Sequence, residues 1–301
     1  MTFPTLSEHQ KGLVITTIGG LALSWDIPLI HLADGDVWSI LAVRSITTFT
    51  MAILIWLVVR RFTRARPPLV PGWIGIAVGG FYALGTMTFL GAVYHTSTAN
   101  VVFILAFTSM FAALLSWVFL GERPSTATLV TMVVMIGGVG TIVAGGLSAG
   151  HLLGDGLAAL SALSLAGAIT TARASKREMG FVSLVGTIFP ASIGFAFVMA
   201  GSGGLQISSP FWIVFNGAVM MPLAFWCLAT GPRYLSAPEV GMFYLLETIL
   251  APIWVWIIFA ETPNSQTVIG GSILILALIG HSIWQMRAKS LQAAMAEAPA
   301  A

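Results

Sequence analysis

Glu247 stands near the middle of an apolar run of 25 residues, EVGMFYLLETILAPIWVWIIFAETP. An ionised carboxylate in such a setting is costly enough to need a partner, a cavity or a proton. Glu239, Phe243, Glu247, Ala251 and Trp254 follow i, i+4 and i+3 spacing, so on a helix they share one face. That face offers charge, aromatic surface and room. It would suit a small molecule that places an ammonium at Glu247 and packs a side chain on Phe243 or Tyr244; a helix-packing hydrogen bond is the plainer use of the same carboxylate.

Asp26 and Arg44 form a second set. Asp26 lies six residues before the end of one apolar run and Arg44 six residues after the start of the next. At ~1.5 Å per residue both sit about 9 Å below the same surface, where they can pair, as a structural ion pair or as a gate. Pro28 removes a backbone donor and should kink its helix, freeing carbonyls around Ser24 to face a cavity walled by Trp25. Gly75, Gly79, Tyr82, Thr86 and Phe89 share a further face, with the glycines for close packing and Tyr82 and Thr86 as pocket residues. Gly137, Gly138, Gly140, Gly270 and Gly271 are also expected at close helix contacts. The single cysteine, Cys227, permits no intramolecular disulfide, and His31, His95, His151 and His281 are too scattered for a metal. No cofactor is expected. Gly146-Leu147-Ser148-Ala149-Gly150 matches G-x-S-x-G, but a nucleophile elbow needs a strand and a sheet, so these residues are read as a loop. There is no G-x-x-x-x-G-K-[ST] and no H-E-x-x-H, so the sequence points to no catalytic residues and no enzyme.

What must position these residues is a set of membrane helices. Hydrophobic residues make up 57% of the chain and charged ones 8%, where a soluble domain would carry about a quarter charged. Runs of spanning length lie at 12–32, 38–59, 71–93, 98–120, 125–145, 153–173, 181–200, 211–230, 236–260 and 265–286, which predicts ten transmembrane helices. Residues 12–32 exceed a signal-peptide core and read as a retained helix. Apart from Arg44, all basic residues, including Lys11, Arg60, Arg61, Arg64, Arg66, Arg123, Arg173, Lys176, Arg177, Arg233, Arg287 and Lys289, fall in tails or loops of one parity. Both termini are therefore expected in the cytoplasm, with 33–37, 94–97, 146–152, 201–210 and 261–264 outside. Scattered as they are, these charges exclude a nucleic-acid partner.

The stretch 100–124 is echoed at 239–263, each an apolar run ending in Glu and Pro: Glu122 and Pro124, then Glu261 and Pro263, 139 residues apart. A duplication follows, with repeats at 1–148 and 149–301. Five helices per repeat is odd, so the repeats are inverted, a geometry suited to alternating access at a central site. The same offset sets Asn100 opposite Glu239 and Thr108 opposite Glu247, giving a polar, uncharged counterpart to the acidic face. Glu122 and Glu261 are each expected to favour the dipole of the helix that follows them.

The Leu-Gly-Glu-Arg-Pro turn at 120–124 with Glu261 and Pro263, Leu245-Leu246-Glu247, and Gly154-Asp155-Gly156-Leu157-Ala158 together resemble the ten-helix drug/metabolite transporter superfamily and its EamA-type permeases. The resemblance covers nearly the whole chain and is strongest to bacterial aromatic amino acid exporters. It implies a secondary transporter exporting aromatic and other neutral amino acids across the bacterial inner membrane, working as a monomer surrounded by lipid. Efflux of cationic drugs or another metabolite is the alternative, and a membrane sensor or embedded enzyme is a reading of another class. Where the family often has Pro in helix 4 this chain reads Thr108-Ser109-Met110, which leaves a break there without its usual cause.

Overall fold

Prolines decide where several of these apolar runs stop being regular helix. In the computed structural model, which describes residues 8–62, 68–121, 123–149, 151–175, 181–201, 203–230, 234 and 237–297, the first run divides into α1 (Glu8–Ser24) and α2 (Asp26–Ala33) at Trp25. Pro28 has no N–H for the Ser24 carbonyl four residues back, so the expected kink is present. Pro190 acts in the same way on Gly186, separating α9 (Val182–Val185) from α10 (Ile188–Ala200). Ahead of Pro222 the chain widens into a π-helical turn, Asn216–Met220, between α11 (Pro210–Phe215) and α12 (Met221–Thr230). Pro252 is accommodated inside α13 (Ala237–Phe259).

The fourth run also breaks, although it has no proline. It divides at Ala106 and Phe107 into α5 (Thr98–Leu105) and α6 (Thr108–Leu120). Hydroxyls take over there: Thr108 Oγ1 donates to the Leu105 carbonyl at 2.7 Å and Ser109 Oγ to that of Ala106 at 3.2 Å. Side-chain donors of this kind satisfy carbonyls that a helix break leaves free.

The other elements are α3 (Val37–Phe62), α4 (Gly72–His95), α7 (Thr126–Ala149), α8 (Leu152–Ser175) and α14 (Ser265–Glu297). Two boundaries differ from the sequence reading: residues 146–149 continue α7 and are helical, and α14 runs eleven residues beyond 286. Among the described residues, eight helical spans are long and apolar enough to cross a membrane, Gln10–Ala33 through Pro210–Leu228, followed by the shorter apolar stretches Leu246–Phe259 and Ser265–His281. The fold is thus all-α and multi-span, with eight spans by this measure where ten were expected. Arg64, Arg66, Glu122, Lys176, Arg177 and Arg233 lie outside the described residues.

The main helix pairs are α4 with α8, α7 with α14, α3 with α10 and with the π-helical turn, α1 with α12 and α13, α8 with α5 and α6, and α13 with α5 and α14. Small residues set the closest of these. A Cβ on Gly138 would lie 3.0 Å from the Gly270 carbonyl oxygen, and one on Gly271 would overlap the Phe103 ring, so α14 packs on α7 and α5 almost backbone to side chain. Gly137 and Gly140 have open space instead. Around this core the outer surface is apolar, with Trp73, Val118, Met199 and Leu276 all more than two-thirds exposed, as suits a lipid boundary.

Candidate functional site

The break at Trp25 places a row of functional side chains against one face of α13. A Cβ on Gly20 would stand 2.6 Å from the Phe243 carbonyl oxygen and 2.9 Å from Leu246 Cδ1, so α1 and α13 meet closely because this position is glycine. Above that contact the indoles of Trp25 and Trp254 stack, with ring centroids 5.1 Å apart and planes 17° from parallel. Trp254 Nε1 donates to Ser24 Oγ at 3.1 Å, which fixes the stack to the end of α1. Phe243 is half-buried and packs against Ala22, Leu23 and Met221.

Asp26 and Arg44 do pair. Arg44 donates from NH2 to Asp26 Oδ2 at 2.6 Å and from Nε to Oδ1 at 3.2 Å, a fork-shaped contact of the strong, oriented kind. Only 3% of Asp26 and 7% of Arg44 is exposed, so neither charge has water to turn to. Asn216, on the π-helical turn, donates to Asp26 Oδ1 at 2.8 Å and to the Asp26 carbonyl at 3.0 Å. The guanidinium also reaches Met221 Sδ at 3.2 Å and lies 6.0 Å from the centre of the Phe89 ring. Four spans meet at this pair. π-helical turns recur at functional positions, and this one brings an amide to a buried carboxylate.

Glu247 is half-buried on α13 and lies within electrostatic range of both Asp26 and Arg44. Among the described residues its carboxylate makes no hydrogen bond and no ion pair. It stands near a satisfied ion pair, on the same helix as Trp254 of the indole stack. Glu239 and Tyr244 stand on α13 by the course of the backbone.

Asn100 is elsewhere. Completely buried near the start of α5, it donates to Asp155 Oδ1 at 3.0 Å and to Thr96 Oγ1 at 3.2 Å, and it accepts from Thr267 Oγ1 at 2.7 Å. Thr96 Oγ1 donates to the same Asp155 oxygen at 2.7 Å. This cluster ties α5 to α8 and α14. It forms because residue 154 is glycine: a Cβ there would fall 2.5 Å from the His95 carbonyl carbon. Asn100 thus has its amide groups committed to protein partners, away from the Trp25 and Glu247 face.

Glu261 departs from the sequence reading. Its carboxylate serves α5, accepting from the Thr98 N–H at 2.8 Å and the Thr98 hydroxyl at 3.2 Å, while α14 is capped by Asn264, whose Oδ1 accepts from the Thr267 N–H at 2.7 Å. Tyr82 packs with Val78, Ala168 and Val182 between α4, α8 and α9, and Thr86 is half-buried one turn along the same helix, on the stripe that leads to Phe89 under Arg44. Thr108 is occupied with its own helix break. Structure therefore joins Ser24, Trp25, Asp26, Arg44, Phe243 and Glu247 into one site and leaves Asn100 and Thr108 in separate contacts. Asn216 and Trp254 complete the site. The signal for Asn216 was a lone amide in the otherwise apolar run PFWIVFNGAVM. Among the described residues no cluster of histidine, cysteine and carboxylates could hold a metal ion.

A profile of the EamA-like transporter family matches residues 12–144 and again residues 152–283. A solved structure described only as "Crystal structure of protein" superposes on 89% of this chain and 96% of its own, with a TM-score of 0.61 at 16% identity, a likeness of fold alone. None of the curated proteins matches the sequence.

Proposed function

The chain belongs to the EamA-like transporter family, whose members move small molecules across membranes and are not enzymes, and on that premise we propose that it exports amino acids, aromatic and other neutral ones, by alternating access. The observation that carries the reading is the Glu247 carboxylate, which among the described residues makes no hydrogen bond and no ion pair, within electrostatic range of the Asp26 and Arg44 pair and on the helix that carries Trp254 of the indole stack. A zwitterionic amino acid presents an ammonium and a side chain; Glu247 offers a complement to the first, and the indoles with Phe243 to the second. In this reading Glu247 takes the ammonium. Ser24 keeps the indole wall in place, Tyr82 and Thr86 line the approach along α4, and Asn100 and Thr108 support the first-half counterpart of α13. Asp26, Arg44 and Glu239 act in gating.

The ten-helix, inverted-repeat arrangement, with repeats at 1–148 and 149–301, belongs to the same proposal. Support comes from the two family matches, one in each half, and from the packing. Counting spans in order, with α13 and α14 as the ninth and tenth, a two-fold exchange of halves turns the α4 and α8 pair into the α12 and α1 pair. It turns the α6 and α8 pair into the α13 and α1 pair and returns α3 with α10, α5 with α13 and α7 with α14 to themselves. A monomer then contains the whole pathway, in a bacterial inner membrane with both termini in the cytoplasm.

Counterflow of labelled phenylalanine and threonine in proteoliposomes holding only this protein tests the proposal. Uptake is expected, with loss of at least tenfold in Glu247→Gln, roughly the value of a charge-assisted hydrogen bond. Absence of uptake by folded protein would remove amino acids as substrates. Because a carboxylate on a helix that also carries aromatic side chains would equally suit an organic cation, the same variant decides between the two. Severe loss for cations with little loss for zwitterions would favour cation efflux.

A further inference from the structure

We propose that His31, Thr98, Phe259 and Glu261 form the gate that closes the substrate site toward the face bearing the 33–37 and 94–97 connections, with Glu261 as its latch. The inference rests on the transport reading above, and it assigns Glu261 a positioning role at a contact between three spans.

The first turn of α5 has backbone donors without intrahelical acceptors. Glu261 meets one of them with Oε1 and the Thr98 hydroxyl with Oε2, so both oxygens of one carboxylate hold one residue at the positive end of a helix. His31 Nε2 lies 3.5 Å from Thr98 Oγ1, and the His31 ring stands 5.4 Å from that of Phe259. The ends of α2 and α13 and the start of α5 converge there. Trp25 is six residues inward from His31 and Trp254 five residues inward from Phe259, or about 9 and 7.5 Å along their helices. The knot therefore sits over the indole pair, as a cover would.

Two features set Glu261 apart from an ordinary cap. Its own following helix already has Asn264 in that role. Ala260, just before it, adopts φ +56°, a left-handed conformation that costs a residue with a Cβ about 1–2 kcal/mol. Gly121, which precedes Glu122 in the first hairpin, has φ +69° without that cost. Strain at a non-glycine residue persists where surrounding contacts over-determine it, and the contact made here is the carboxylate turned back onto α5.

A gate differs from a brace in sidedness. The test uses the full chain with Cys227→Ala and a reporter Ser24→Cys below the knot, in proteoliposomes of known orientation, labelled with a membrane-impermeant maleimide from either side. Parent protein should label slowly from the gate face. Glu261→Ala should label about tenfold faster from that face and more slowly from the opposite one, since weakening one closed state favours the other. Thr98→Val, which removes only the hydroxyl, should fall between, and it carries the test if Glu261→Ala does not fold. Labelling that rises from both faces, that changes from neither, or that is already fast in the parent would overturn the proposal. No substrate is needed, so failure of amino acid counterflow would leave this result standing, and the reverse holds equally.

Discussion

Replacing Asp26 with Ala should be among the most damaging single changes in this protein. The substitution leaves Arg44, 7% exposed, without the carboxylate that receives its Nε and NH2, and deprives Asn216 of one of its two acceptors. Removing one partner of a buried pair costs about 3–5 kcal/mol, because the remaining charge is neither paired nor hydrated. The pair as a whole is worth far less, since both charges were desolvated to make it. Asp26→Ala combined with Arg44→Met, which removes both charges and fills much of the guanidinium's volume, should therefore be more stable than Asp26→Ala by about 2 kcal/mol or more. Asp26→Asn, which keeps an acceptor for Asn216, should lie between wild type and Asp26→Ala. The measurement is reversible unfolding in mixed micelles of wild type, Asp26→Ala, Arg44→Met and the double variant, which close a double-mutant cycle, with Asp26→Asn as a fifth protein. A cost below 1 kcal/mol for Asp26→Ala, or a double variant at the sum of its single costs, would refute the argument that burial makes these two charges interdependent.

Two other changes probe the backbone and the second polar cluster. Ala260→Gly should stabilise the fold by about 1 kcal/mol, since glycine adopts the left-handed conformation without penalty and loses only part of that gain to its freer unfolded chain; a melting point below that of wild type would contradict it. Asp155→Ala should cost about 2–4 kcal/mol, because it takes the acceptor from Thr96 and Asn100 in a place where water is excluded, and Asp155→Asn, which keeps an acceptor oxygen, should recover part of that loss in the same unfolding assay.

The sequence by itself determined the class of protein and where the eight spans from Gln10 to Leu228 run. Length of apolar run against bilayer thickness, the single parity of the basic residues and the echo at Glu261 of Glu122 are one-dimensional properties, and so is the missing N–H of Pro28 that breaks the first span. Asp26 and Arg44 could be paired on paper for the same reason, since each lies six residues from one surface. What tertiary structure decided was which polar groups meet. Asn100 and Glu247 both read as polar residues inside apolar helices, and only the packing of α5 on α8 and α14 commits the first to Asp155 and Thr267, while the second has no hydrogen-bond partner among the described residues and lies within electrostatic range of Asp26 and Arg44. Glu261 was legible as a cap but not as a cap for α5, because the choice between two helix starts depends on Ala260's backbone and on Asn264 having satisfied the nearer one. The break at Ala106 and Phe107 likewise needed three dimensions: hydroxyls can satisfy freed carbonyls at many positions, and the packing of the surrounding helices selects the one that is used. Periodicity and composition act along the chain, whereas a hydrogen bond between spans is decided by side chains that are distant in sequence and brought together only when their helices pack.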